Sequence, residues 1–167
     1  MRQILFLSLI LVSAAFMECS SQPPKSPRVK AEGKDVEVSY GQPSKRGRTI
    51  FGELEPYGKV WRTGANEATE ITFKKNVVFG GQPVKAGTYT LYTIPNQNEW
   101  TVILNPELKQ WGAYGYDKIK AKDLPHVKVP AQKVDSPIEK LTLRFDDQNS
   151  LIIEWDQTRV AVPIQSA

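Results

Sequence analysis

Leu141-Thr142-Leu143-Arg144-Phe145-Asp146-Asp147-Gln148-Asn149-Ser150-Leu151-Ile152-Ile153-Glu154-Trp155 is the stretch that decides the fold class. Leu141, Leu143 and Phe145 alternate with Thr142 and Arg144, and Leu151, Ile153 and Trp155 alternate with Ile152 and Glu154. Side chains two apart share one face of a strand, so each run predicts a half-buried strand with a single apolar face. Asp146-Asp147-Gln148-Asn149 supplies the turn between them. These residues include acidic ligand types, but they lack the spacing and the glycine of a calcium loop, and a hairpin turn accounts for them.

The same period extends towards the N-terminus. Val36, Val38 and Tyr40 alternate with Glu37 and Ser39, and Ile71 and Phe73 with Thr72 and Lys74. Val77-Val78-Phe79 runs into Gly80-Gly81, a pair that supplies the positive φ angles of a tight hairpin. Lys85-Ala86-Gly87 leads into Thr88 to Ile94, rich in aromatic and β-branched side chains and stopped by Pro95. Asn96-Gln97-Asn98 turns the chain into a strand over Trp100 to Leu104, and Gln157-Thr158 is expected to separate the last pair of strands. Single helical turns are expected over Glu107 to Trp111 and Asp117 to Lys122, both too short for a stable amphipathic helix. These patterns predict an all-β fold with little helix: a single antiparallel β-sandwich, jelly-roll or Ig-like, with a barrel as the alternative closure.

A chain of 167 residues has room for about one domain. Hydrophobic residues at 40% and charged ones at 24% suffice for a modest core and exclude wholesale disorder. One Cys and one His exclude a disulfide framework, a multi-Cys or multi-His zinc site and a Cys/His dyad drawn from scattered copies. No cofactor or metal is implied. The formal net charge of +4 is a mild excess.

Met1-Arg2, the apolar run Ile4 to Val12 and the small residues Ser13-Ala14-Ala15 have the pattern of a secretory signal, too short to span a bilayer as a mature helix. The expected division is a signal over residues 1–18, cut near 15–21, a Pro-rich tether over 19–27, and the β domain over 28–167. Cys19-Ser20-Ser21 looks like a lipoprotein start, which would tether the chain through an acylated Cys19. Glu18 argues against it and for cleavage after Ala15. The expected location is periplasmic, outer-membrane-anchored or secreted. In that setting nucleic acid is not an expected partner, membrane contact is confined to the anchor, and the basic cluster Lys45-Arg46-Arg48 is expected to be solvated or to face anionic polymers.

Two stretches depart from the strand pattern. If Lys59 to Thr63 is extended, Val60 and Arg62 share one face, and Lys59, Trp61 and Thr63 the other. Either Trp61 stands on the wetter face or Arg62 turns towards the core, where it needs a partner and Glu67 is the nearest carboxylate downstream. The bland outcome is a structural Arg–Glu pair with Trp61 filling the core edge. The sharper one is a ligand pocket in which Arg62, Asn66 and Glu67 converge over a Trp61 stacking face, with Arg48 as a further contact. The second stretch, Trp111-Gly112-Ala113-Tyr114-Gly115-Tyr116-Asp117, joins three aromatics to two glycines. Such a loop suits a carbohydrate, whose apolar ring faces stack on Trp111, Tyr114 or Tyr116 while Asp117 takes hydroxyls. The alternative is that Trp111 and Tyr114 fold back to cap the core. His126 has no Ser and Asp in a recognisable triad context.

Tyr40-Gly41-Gln42-Pro43-Ser44-Lys45-Arg46-Gly47-Arg48, Ile50-Phe51-Gly52 and the long string Pro56 to Thr69 carry a family resemblance, together with Ala86-Gly87-Thr88-Tyr89, Thr93-Ile94-Pro95, Glu99-Trp100-Thr101 and Gln110-Trp111-Gly112. They resemble the bacterial family known as domain of unknown function 2911, over about Ser26 to Pro163. The resemblance implies an exported, mostly β protein and transfers no catalytic residue. Gly41-Gln42 stands where it implies Ser-Arg, and His126 where it implies Arg.

The function expected first is a non-catalytic binding or structural module of the cell envelope, recognising a glycan or another envelope component. The alternative is a glycoside hydrolase with Glu67 and Asp117 as its carboxylate pair. A third is assembly with a protein partner through the sheet edges.

Overall fold

The structure is a computed structural model that describes residues 26–167. The expected signal, most of the tether and Cys19 lie outside the described residues.

Eleven strands are described, in three antiparallel sheets with one short helix. The largest sheet holds β1 (Arg28–Gly33), β2 (Val36–Gly41), β3 (Thr69–Phe73), β6 (Gly87–Ile94), β7 (Glu99–Asn105) and β8 (Val127–Pro130), in that spatial order. The second is the long hairpin of β9 (Gln132–Phe145) and β10 (Leu151–Val162). The third orders β11 (Ile164–Ser166), β4 (Val77–Phe79) and β5 (Gln82–Val84). The fold is all-β.

The alternating residues meet in one core. Val36 and Val38, Ile71 and Phe73, Leu91, and Trp100 and Val102 from the six-stranded sheet join Leu141 and Leu143, Leu151, Ile153 and Trp155 from the hairpin, and Phe79 from the small sheet. Tyr40 ties two sheets directly, because its hydroxyl accepts the Leu143 N–H at 3.1 Å. Gly80 and Gly81 take φ of 54° and 86° and close the β4–β5 hairpin in two residues, as expected of that pair.

Two details differ from the sequence reading. Gln157-Thr158 is not a turn: β10 runs on to Val162, and the pairing register shifts on either side of Asp156. Asp156 takes φ of 53°, so the strand bends through a bulge instead of ending. Glu107 to Trp111 forms no helical turn, since Lys109 at φ 58° breaks it and Trp111 pairs as a strand residue. The other expected turn is present, as α1 (Tyr116–Ile119) continued by a 3-10 turn over Lys120–Lys122.

Within the hairpin, Glu154 receives Arg144 Nε at 3.0 Å and Arg159 Nε at 2.6 Å. Burial alone would push its carboxyl up, but the two guanidinium groups win and hold it below the ordinary value. A depressed folded value contributes stability that is present above the unfolded value and lost as pH falls through the folded one. Glu154→Gln is therefore expected to cost on the order of 1 kcal/mol at pH 7, since both arginines are partly screened by solvent. The cost should vanish at strongly acidic pH, a difference that urea unfolding at the two pH values measures.

Candidate functional site

The six-stranded sheet is buried on both faces along β6 and β7. Leu91 points into the main core, while Tyr92 and Ile103 belong to a second apolar cluster on the outer face. After β7 the chain crosses this outer face. Asn105 anchors both ends of the crossing: its Oδ1 accepts Glu107 N–H at 2.9 Å, and its Nδ2 donates to Asp123 Oδ1 at 2.7 Å. The Tyr116 hydroxyl donates to Asp123 Oδ2, and its ring meets Tyr92 edge-on with centroids 5.1 Å apart. Burial, with Asp123 adding to it, pushes the Tyr92 phenol up to about 12; burial and the hydrogen bond to Asp123 raise Tyr116 as well. His126 also leans on this carboxylate, with Nε2 3.2 Å from Asp123 Oδ2. These side chains hold α1 and the preceding loop to the sheet.

What the loop presents is aromatic. Trp111 pairs with Glu67 as an antiparallel bridge, Gly112 N–H donates to Asn66 O at 3.1 Å, and Ala68 N–H donates to Gln110 O at 2.9 Å. The two stretches that departed from the strand pattern thus lie side by side. Trp111 is 62% exposed and Tyr114 85%. Gly112, at φ 67°, lies against the Tyr114 ring, and a Cβ there would come within 2.9 Å of Cε2. Glu67 Oε2 lies 4.0 Å from Arg28 Nη1, and Asn66 Nδ2 donates to Ser26 O at 3.3 Å. The loop thus carries two exposed rings, with Trp111 bridged to Glu67, while the Arg28 guanidinium donates to Ser39 Oγ and to the carbonyls of Ser39 and Ala68.

Other expected members lie elsewhere. Trp61 is 2% exposed and packs with Phe51, Trp100 and Trp155, so it has no free face for stacking. Period 2 resolves in its favour because the chain pairs Trp61 with Thr93 and directs Trp61 and Thr63 inward. Arg62, half-buried on the opposite side, forms no ion pair with Glu67, whose cation is Arg28. Its Nε is buried without a hydrogen-bond partner, and the carboxylate that feels its charge is Glu55. Arg48 is exposed, but its guanidinium donates to Lys45 O at 2.9 Å and Ser44 O at 2.7 Å within its own turn. Lys45 is not solvated; its Nζ pairs with Asp156 Oδ1 at 3.0 Å. Tyr116 is the loop aromatic that folds back. Asp117 is 87% exposed and pairs with Lys120 at 2.9 Å.

Arg28 is a site residue that sequence reasoning missed. It opens β1 beside the expected tether, and no spacing signal connects it to Glu67. A separate concavity of about 670 Å³ lies elsewhere, between Lys34-Asp35, Lys75-Asn76 and the β9–β10 turn. Its polar groups largely satisfy one another: Asp35 takes Lys75, Asn149 takes Lys34 N–H and Asn76 takes Ala86 N–H. Among the described residues no group of three or more His, Cys, Asp or Glu is placed to hold a metal ion, and no helix is long and apolar enough to cross a membrane.

Fold and site together define a three-sheet β domain whose outer face carries an exposed aromatic loop. The family model described as "Protein of unknown function (DUF2911)" matches residues 22–164, and the chain belongs to that family. No curated protein and no solved structure matches it.

Proposed function

We propose that the chain is an exported, non-catalytic module of the cell envelope that recognises a glycan through Trp111 and Tyr114. In this reading the six-stranded sheet and the facing hairpin form a single β-sandwich, the first 18 residues direct export, and Cys19 is the candidate lipid anchor. The observation that carries the function is the exposure of Trp111 and Tyr114 in a loop whose Trp111 is bridged to Glu67, the partner of Arg28. Large aromatic surfaces are normally buried, and exposed rings in a loop bridged to hydrogen-bonding residues suit the apolar face and hydroxyl edge of a sugar ring. Glu67 and Asp117, each exposed and facing its own cation, are better suited to accepting hydroxyls than to acid–base catalysis.

Titration with soluble polysaccharides, followed by Trp fluorescence, tests this. Trp61, Trp100 and Trp155 are buried, so a change on adding glycan reports Trp111. Trp111→Ala is expected to weaken binding at least tenfold, about 1.4 kcal/mol. Unchanged spectra with every glycan would remove the reading. Mass spectrometry of the mature N-terminus tests export and lipidation.

A further inference from the structure

A second concave surface flanks Tyr57. The Tyr57 ring is 39% exposed and rests against Gly52, where φ is 95° and a Cβ would come within 2.8 Å of Tyr57 Cε2. The ring is therefore braced by backbone rather than by a mobile side chain. Gly58 N–H, next in the chain, donates to Pro95 O at 2.9 Å and fixes the loop to the end of β6.

Two hollows, of about 200 and 340 Å³, share Tyr57 and Gln97. Across both, the lining supplies five primary amides: Asn96, Gln97, Asn98, Gln132 and Gln157. Those amides come from three separate places: the β6–β7 turn, the start of β9 and the bulged part of β10. None of the five side chains makes a hydrogen bond with another described residue, although the amides that hold the fold together, Asn105 and Asn76, do. Two charged groups join them: Glu99, paired with Lys128 at 3.2 Å, and Lys133. A neutral amide both donates and accepts, as a sugar hydroxyl does, so five amides and the Lys133 ammonium beside an aromatic plate suit the hydroxyls of a polyol. One hollow lies below and the other just above the lower end of the volume that engulfs a small ligand, about 300 Å³, which suits a chain laid across the ring.

We infer that Tyr57 and the surrounding amides form a second glycan-binding site for an oligosaccharide whose pyranose face stacks on Tyr57. The inference takes its ligand class from the glycan reading of the chain, but it stands on different residues from the Trp111 platform. Both surfaces lie beyond the same end of the six-stranded sheet, because β3 begins and β6 finishes there.

Side-chain amide and indole resonances, followed by NMR during titration with cellohexaose, laminarihexaose and xylohexaose, separate the two sites. At least one hexasaccharide is expected to shift the amides of Gln97 and Gln157. That response should persist in Trp111→Ala and weaken at least tenfold in Tyr57→Ala, with Tyr57→Phe retaining it because the ring face remains. Movement of the Trp111 indole with unmoved amides would overturn the second site and leave the Trp111 platform standing. Moving amides with a silent Trp111 would do the reverse, and silence at both would end both. A Tyr57→Ala variant that keeps the wild-type spectrum elsewhere yet binds at full strength would also overturn the inference.

Discussion

Trp61→Ala is expected to lower unfolding stability by about 3–5 kcal/mol, whereas Trp111→Ala changes it by no more than about 0.5 kcal/mol. The two residues are of one type, and each sits in a loop-like segment beside glycines, so only their surroundings separate them. Trp61 stacks on Trp155 with centroids 6.0 Å apart and meets Trp100 edge-on at 6.1 Å, while Phe51 closes the cluster at 4.8 Å from Trp100. Its Nε1 donates to Gly64 O at 3.2 Å. Truncation removes a large apolar surface, opens a cavity among three rings that cannot all collapse into it, and leaves the Gly64 carbonyl without its donor. Trp111 loses mostly solvent contact. Urea unfolding at pH 7 measures both; equal losses would mean that the Trp111 ring is buried in solution and the binding platform absent.

Most of the core strands were legible because a half-buried strand writes its faces into the sequence at every second residue, whereas β1, β8 and β11 were not read as strands. Val36, Val38 and Tyr40, or Leu151, Ile153 and Trp155, could be assigned without knowing their partners. β6 was legible as a strand but not as one covered on both faces, since Tyr92 and Thr90 alternate with Leu91 as they would on a wet face. The outer cluster that seats Tyr116 was hidden for that reason. Asp156 was hidden as well, because Asp-Gln-Thr reads as a turn whether the chain reverses there or only bulges. The sequence reading kept Asn66 and Glu67 apart from the Trp111 loop, because the backbone bridge between Glu67 and Trp111 is a tertiary fact with no counterpart in residue spacing. Charge pairing was the least legible feature. The nearest carboxylate along the chain from Arg62 was Glu67, but strand geometry sends the two side chains to different neighbours. Gly41 shows the same limit: a Cβ there would lie 2.1 Å from Ala65 O, so its place beside that backbone explains the glycine where the family resemblance implies Ser.

Glu55→Gln is expected to stabilise the protein by about 2 kcal/mol at pH 8 and to change it little at pH 4. Glu55 sits at the close of the turn that starts at Phe51, where its carbonyl accepts Gly52 N–H at 3.0 Å. Burial of its side chain pushes the carboxyl up to about 7, and the nearby charges of Arg62 and Arg48 pull against that without prevailing. Because the folded value lies above the unfolded one, the folded chain binds the proton more tightly between the two. The contribution is fully present below about pH 4.5 and is lost as pH rises through about 7. A glutamine keeps the shape and the hydrogen-bonding capacity of the neutral acid and cannot ionise, so its advantage should appear only on the alkaline side. Full conversion of the shift would give about 3 kcal/mol, and the partly wet edge of the carboxyl reduces it to about 2. Glu154 acts with the opposite sign at the acid end and is common to both chains, so it cancels in the difference. Thermal unfolding of the two proteins at half-unit steps from pH 4 to 8 should show curves that diverge through neutrality. Parallel curves would mean that Glu55 is ionised and solvated throughout, in which case Arg62 would lie beside a permanent carboxylate and its buried Nε would have no neutral neighbour to explain.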